Sequence, residues 1–206
     1  MISTKAMIKD TAIDPGKLFI QYRDKGDIAA FETVMETFHK PLFNFLLRML
    51  RRQHEAEDAL QEVWFKLLAQ KDKYEDRGQF SAWLYRIAHN HCLDRFRKDK
   101  HFVEARDWNE DEEHVALIER IPGADPTPLD QAVEQEDLAR LEQAVELLPP
   151  LIREVYLLRS IEEVPFKEIA EIQEAPLGTV LSRMSQAVKF LQKQLCADNQ
   201  LAEETA

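Results

Sequence analysis

At 206 residues, with 45% apolar residues and only 5 Gly, the chain can bury one or two small cores. Its apolar runs are short and broken by charge, so none approaches the roughly 18–20 residues of a membrane span, and the opening MISTKAMIKDTAIDPGK lacks the apolar stretch of a secretory leader. A net charge of -11 argues against a simple nucleic-acid binder until its distribution is counted.

From Glu104 to Glu142 there are thirteen Asp/Glu against three Lys/Arg, a local balance of -10 that accounts for nearly all of the total. Ser81 to His101 carries five Lys/Arg and two Asp, and Leu177 to Leu195 carries Arg183, Lys189 and Lys193 with no acid. Two basic elements are thus separated by an acidic connector, and partners follow local potential more than the net figure. Cys92 and Cys196 lie about a hundred residues apart, which suits a reducing cytoplasm and offers no disulfide framework.

Alternating apolar and polar residues are absent, and Ala, Leu, Glu, Gln and Lys dominate, so an all-α fold is expected. After Pro15-Gly16 a short helix is predicted over Lys17–Arg23, stopping at Gly26. Asp27 is a good N-cap for a longer helix to about Arg52, with Pro41 marking a kink or break. His54–Ala69 is strongly periodic: Ala56, Ala59, Leu60, Val63, Trp64, Leu67 and Leu68 fall on one face. Asp58, Gln61 and Glu62 fall on the other with Phe65 among them, an apolar anchor with a charged rim of the kind partner surfaces use. A single exposed aromatic is also ordinary on a protein surface.

Lys71–Gly78 reads as a polar loop. Phe80–Lys100, FSAWLYRIAHNHCLDRFRKDK, joins a predicted burial stripe (Phe80, Trp83, Leu84, Ile87, His91) to a face bearing Arg86, Asn90, Leu93 and Arg97. Beyond Ile87 the apolar positions Ala88, Cys92 and Phe96 rotate off the stripe, which predicts a bend or a change of packing partner near Asn90. From Asp99 the periodicity fades into an acidic, Pro-containing linker with too little apolar surface to order itself. Helical spacing returns near Asp130, and Pro149-Pro150 breaks the chain before a helix over Leu151–Arg159. Pro165 opens a shorter helix. A turn over Gln173–Pro176 then leads to a last helix with Leu177, Val180, Leu181, Met184, Ala187, Val188, Leu191 and Leu195 inward and Thr179, Ser182, Arg183, Gln186 and Lys193 outward. Two helices joined by a short turn, the second presenting hydroxyls, Arg and Gln, match the needs of helix-turn-helix reading of the major groove, and equally describe a plain αα-hairpin. Ala197–Ala206 reads as a short, acidic, disordered tail.

HEAEDALQEVWFK, FSAWLYRIAHNHCLDRFRK and LPPLIREVYLLR…FKEIAEIQEAPLGTVLSRMSQAVKFL resemble, in order and spacing, bacterial sigma factors of the extracytoplasmic-function (ECF) group, from about Lys17 to Leu195. The resemblance implies two small helical domains joined by a flexible acidic linker: sigma region 2 over 15–101, the linker over 102–130 and the helix-turn-helix of sigma region 4 over 131–196. It implies a factor that binds core RNA polymerase and directs promoter-specific initiation, with no cofactor and no catalytic residues. Asp58, Gln61, Glu62 and Phe65 would face the clamp helices of the largest polymerase subunits. Tyr74, Glu75, Asp76 and Arg77 would form the pocket for a flipped minus-ten base, with Asn90 reading upstream of it and Arg86, Arg95 and Arg97 on phosphates. Thr179, Ser182, Arg183 and Gln186 would meet the minus-thirty-five element. The linker resembles the segment that threads through polymerase, and an anti-sigma protein is implied as a further partner.

Two departures stand out. The family's turn often has Gly before the recognition helix, where this chain has Gln173 and Glu174, and a non-Gly residue in a left-handed cap costs on the order of 1 kcal/mol. The family also commonly shows basic residues where this chain has Leu181, Gln186 and Val188, which predicts fewer phosphate contacts and a shallower salt dependence. An enzyme reading fails on geometry: His89 and His91 point about 200° apart on a helix, His54 with Asp58 lacks a third ligand, and no phosphate loop or nucleophile elbow is present. The remaining alternative is a helix-turn-helix regulator that does not engage polymerase, which has no use for the Asp58/Gln61/Glu62/Phe65 face.

Overall fold

The computed structural model describes residues 14–76, 78–98 and 130–204, with side chains over 14–76, 78–98 and 138–195. Eight α-helices and no strand occur among the described residues. The chain divides into two compact units, one of Met1–Phe102 with Leu157–Leu177, the other of Val103–Tyr156 with Gly178–Ala206.

In the first unit, α1 (Pro15–Lys25) starts where Asp14 accepts hydrogen bonds from the Gly16 and Lys17 amides, with Pro15 in the first turn. It stops at Gly26, whose φ of 67° suits a residue without Cβ. Asp27 then caps α2 (Ile28–Leu50) through the Ala30 amide at 3.2 Å. Pro41 lies within this helix without breaking it: the ring is buried, and its packing offsets the ladder bond that proline cannot make. Arg51, in the left-handed region at φ 65°, ends α2.

α3 (Gln53–Ala69) buries Ala56, Ala59, Leu60, Val63, Trp64 and Leu67, the face its periodicity predicts. A single 3-10 turn, Lys71–Lys73, leads into the loop before α4 (Phe80–Lys98). α4 is the centre of this unit and packs against α1, α2, α3 and α7 (Phe166–Ile172). Being surrounded, it buries Phe80, Ala82, Leu84, Tyr85, Ile87, Ala88, His89 and Cys92, a wider surface than the predicted stripe, while Trp83 and His91 are only half-buried. A helix with neighbours on most sides has little reason to be amphipathic, which is why one stripe describes it poorly.

Phe19 of α1, fully buried, gathers the aromatic core: its ring centroid lies 5.3–5.6 Å from those of Phe80, Tyr74 and Trp83. Edge-on and tilted pairs of this kind add to the area each ring buries.

The second unit contains α5 (Asp130–Leu147), most of α6 (Pro150–Ser160) and α8 (Leu177–Glu204). Ala144, Val145, Leu148, Ile152, Val155, Val180, Met184, Ala187 and Leu191 form its core. Buried Arg153 donates to the Glu146 and Leu148 carbonyls at 3.0 and 2.7 Å, satisfying acceptors left over at the end of α5. The helical backbone of α8 runs to Glu204, through the segment predicted as a disordered tail, where Ala, Leu, Gln and Glu are good helix formers. Of the acidic connector expected over 102–130, residues 102–129 lie outside the described residues, as does Arg77, while Asp130 is already the first residue of α5.

Candidate polymerase and nucleic-acid interfaces

Three surfaces carry the residues singled out by sequence. The first is the outer face of α3. Asp58, Gln61 and Glu62 are all exposed there, and Phe65 is 66% exposed although its neighbour Trp64 is buried. The helix thus holds one aromatic in the core and sets the next, about 100° around the axis, into solvent. A solvent-facing ring rimmed by carboxylates and an amide has the composition of a protein-binding face.

The second surface is the loop over 74–79 with the exposed side of α4. Tyr74 is buried at 4% exposure, with its ring centroid 4.9 Å from that of Trp83, and burial pushes its phenol above the usual range. The Tyr74 hydroxyl points to Asp76 Oδ1 at 3.4 Å, and Asp76 also accepts from the Gly78 amide at 3.1 Å. That amide bond folds the loop into an Asx turn, with Gly78 at φ 70°. Glu75 and Asp76 are exposed. A Cβ built on buried Gly16 would stand 2.6 Å from the Tyr74 hydroxyl, so the loop is seated against bare backbone of α1.

On α4, Arg86 and Asn90 are exposed and share a face four residues apart. Arg95 pairs with Glu55 at 3.3 Å and Arg97 with Asp94 at 3.7 Å, so both guanidiniums already have a carboxylate partner. Composition alone overlooks Lys73 and Trp83, which with Arg86 line a cavity of about 240 Å³ over the Tyr74 loop. The available signal was an aromatic three residues before an exposed arginine, set behind a lysine-bearing turn.

The third surface is α8. Ser182 is exposed, while Thr179 and Gln186 are half-buried. Arg183 is half-buried as well; desolvation lowers its pKa while the charge of buried Glu154 opposes the shift. The exposed cations of this helix are Lys189 and Lys193. Among the described residues no group of three His, Cys, Asp or Glu is placed to hold a metal ion, and no helix is long and apolar enough to cross a membrane.

Comparison with known proteins gives these surfaces a common context. Residues 34–102 match the family model Sigma-70 region 2, and residues 138–191 match Sigma-70, region 4. The ECF RNA polymerase sigma factor SigW of Bacillus subtilis is 34% identical over 173 residues, covering 83% of this chain and 91% of that protein. The ECF RNA polymerase sigma-E factor of Escherichia coli K12 is 25% identical over 178 residues, covering 83% and 89%. Among solved structures, the sigma factor RpoE in complex with the anti-sigma factor NepR from Bartonella quintana is similar at a TM-score of 0.59 and 26% identity, covering 82% of this chain and 98% of that one. CnrH, solved in complex with the cytosolic domain of CnrY, shares the fold at a TM-score of 0.64 and 21% identity, covering 90% and 99%. A regulator working through a helix-turn-helix alone would match region 4 without region 2. With both regions matched in order and a relative above 30% identity along most of its length, the chain belongs to the ECF group of sigma factors, and it is an alternative sigma factor that directs transcription initiation with RNA polymerase.

Proposed function

We propose a division of labour within this factor. Asp58, Gln61, Glu62 and Phe65 bind the clamp helices of core polymerase. The loop of Tyr74, Glu75, Asp76 and Arg77 receives a base flipped from the minus-ten element, Asn90 reads beside it, and Arg86, Arg95 and Arg97 hold the strand by its phosphates. Thr179, Ser182, Arg183 and Gln186 meet the minus-thirty-five element. Residues 15–101 and 131–196 act as the two working domains, and 102–130 as the acidic connector along a basic channel of polymerase. An anti-sigma protein is a fitting partner, since the RpoE of similar fold was solved with one, and the site of action is the cytoplasm.

The observation that carries this reading is the 66% exposure of Phe65 in the middle of an acidic face, on a helix whose opposite face is buried. Core facing alone does not require that ring. Buried, complementary anchors of this kind dominate interface energy, and removing one typically costs more than about 1 kcal/mol. Run-off transcription on genomic DNA with purified core polymerase tests the activity and returns the promoter motif. Asp58→Ala with Phe65→Ala is expected to abolish core binding while leaving the helical circular dichroism unchanged. Undiminished pull-down of core by the double variant overturns the assignment of that face.

A further inference from the structure

The exposed side of α4 is occupied by another part of the same unit. α7 packs on α4, and its last residues Glu171 and Ile172 join Lys73, Tyr74, Trp83 and Arg86 around the cavity. α7 ends in a Schellman arrangement: the Ala175 amide donates to the Ala170 carbonyl at 3.0 Å and the Glu174 amide to the Glu171 carbonyl at 3.4 Å. The residue at its left-handed position is Glu174, at φ 49°. Glycine adopts that conformation without strain, so a glutamate there is a local sacrifice that points to a use for its side chain. The Glu174 carboxylate forms an ion pair with Arg86. The hydrogen bond from Arg86 holds the Glu174 carboxyl below the usual carboxylate range.

We infer that α7 is a removable cover at the edge of the cavity beside Arg86, latched by Glu174, so that in the free protein the Arg86 guanidinium is held by a carboxylate instead of a strand phosphate. The inference rests on the reading of Arg86 and the Tyr74 loop as a surface for single-stranded DNA. Its chemistry is competition for one guanidinium: with the carboxylate gone, a phosphate gains the Nη2 donors of Arg86 and loses a like-charged neighbour. Both partners are largely exposed, with side chains at 47% and 63%, so the latch is weak and can be released under mild conditions. The packing of Ile169 and Ile172, both buried, holds the cover in register, and Glu174 supplies the charge.

A double-mutant cycle on the full chain tests this: wild type, Glu174→Gly, Arg86→Ala and the double variant, each titrated by fluorescence anisotropy against a fluorescein-labelled single-stranded 12-mer of mixed sequence at low salt, without polymerase. Glu174→Gly is expected to bind about two- to five-fold tighter than wild type, the range a weak exposed pair can supply. In the Arg86→Ala background most of that gain is expected to vanish, because the guanidinium it would release is gone. Equal affinities of wild type and Glu174→Gly overturn the latch. So does a gain that persists in full without Arg86, which would report only the loss of a negative charge. Glycine suits the left-handed cap, so the variant should melt no lower than wild type; if it does melt lower, Glu174→Gln in the same cycle decides by the same two outcomes. Run-off transcription by the wild-type protein is a separate readout: its failure removes the functional reading, whereas active wild type with no coupling in the cycle removes only the latch.

Discussion

The guanidinium of Arg23 donates through Nη1 to the backbone carbonyl of Tyr74 at 2.6 Å, joining α1 to the Tyr74 loop across 51 residues of sequence. The Arg23 side chain is 22% exposed and also holds Asp24 at 2.6 Å, so it is fixed at both ends. A hydrogen bond from a charged donor to a part-buried carbonyl contributes more than a neutral one, and its loss leaves that carbonyl short of a partner. Arg23→Ala is expected to lower stability in urea unfolding. It is also expected to reduce open-complex formation more than core binding, because the proposed base pocket is on the loop it releases and the proposed polymerase face is on α3. Equal losses in both assays would mean a general loss of fold.

Trp64 and Phe65 are neighbours with opposite exposures, 7% and 66%. Trp64 meets Phe31 edge-on at 6.1 Å between centroids, so Trp64→Ala is expected to cost about 3–5 kcal/mol through the cavity it leaves. Its Nε1 is buried without a hydrogen-bond partner, so Trp64→Phe, which removes that donor and leaves a smaller cavity, is the milder change. Phe65→Ala should move stability by less than about 0.5 kcal/mol, as exposed substitutions usually do, while weakening core binding about ten-fold or more. Chemical denaturation and pull-down of core, run on the same three proteins, separate the two roles.

How far these features can be read from sequence depends on the range of the forces behind them. The inward face of α3 and the caps at Asp27 and Gly26 are local, and spacing alone locates them. Pro149-Pro150 likewise marks the start of α6 to within a residue. Tyr74 reads as part of a polar loop because its neighbours Lys73, Glu75 and Asp76 are charged; its burial is created by Phe19 and Trp83, which approach from other helices. The burial pattern of α4 is illegible for the same reason, since four helices surround it and no single period records them. Glu55 reads as a first-turn acid of α3, yet it receives both Arg52 and Arg95. Arg183, periodic with the outward residues of α8, is half-buried next to Glu154 of the same unit, a neighbour that spacing cannot supply. Against the family's usual glycine, the sequence marks Gln173 and Glu174 alike as the departure, and only the backbone shows that Glu174 is the left-handed residue, at φ 49°.

His91 should make stability depend on pH. Desolvation lowers its pKa from 6.5, and the nearby charges of Lys66 and Arg95 act in the same direction, against weaker opposition from Glu62 and Asp94. Lys66 Nζ stands 3.4 Å from Nδ1, an arrangement that suits a neutral ring accepting from the ammonium. A histidine with a depressed folded pKa takes up its proton more readily when unfolded, so its contribution is fully present above about pH 6.5 and is lost as pH falls from there toward the folded value. Urea unfolding between pH 7.5 and 5.5 should therefore show a smaller loss for His91→Gln than for wild type. Identical slopes in the two proteins would mean that other groups carry the acid sensitivity.

The salt dependence of promoter binding tests how α8 meets duplex DNA. Its outward cations are few, with Lys189 and Lys193 exposed and Arg183 drawn half inside. Leu181 and Val188 are half-buried, consistent with roles in packing more than in phosphate binding. Each phosphate neutralised on B-DNA contributes a slope of about -0.9 in a plot of log K against log salt. Gln186 is half-exposed on the same helix, four residues on from Ser182, a spacing that keeps both on one face. Gln186→Arg is therefore expected to add one contact and to steepen the slope of holoenzyme binding by about 0.9, measured on a promoter mapped by run-off transcription. Because a phosphate contact carries no sequence information, affinity for that promoter and for a scrambled duplex should rise by a similar factor. A slope that stays at the wild-type value would mean that residue 186 does not approach the backbone, and the outward face of α8 would have to be redrawn around Ser182 and Lys189.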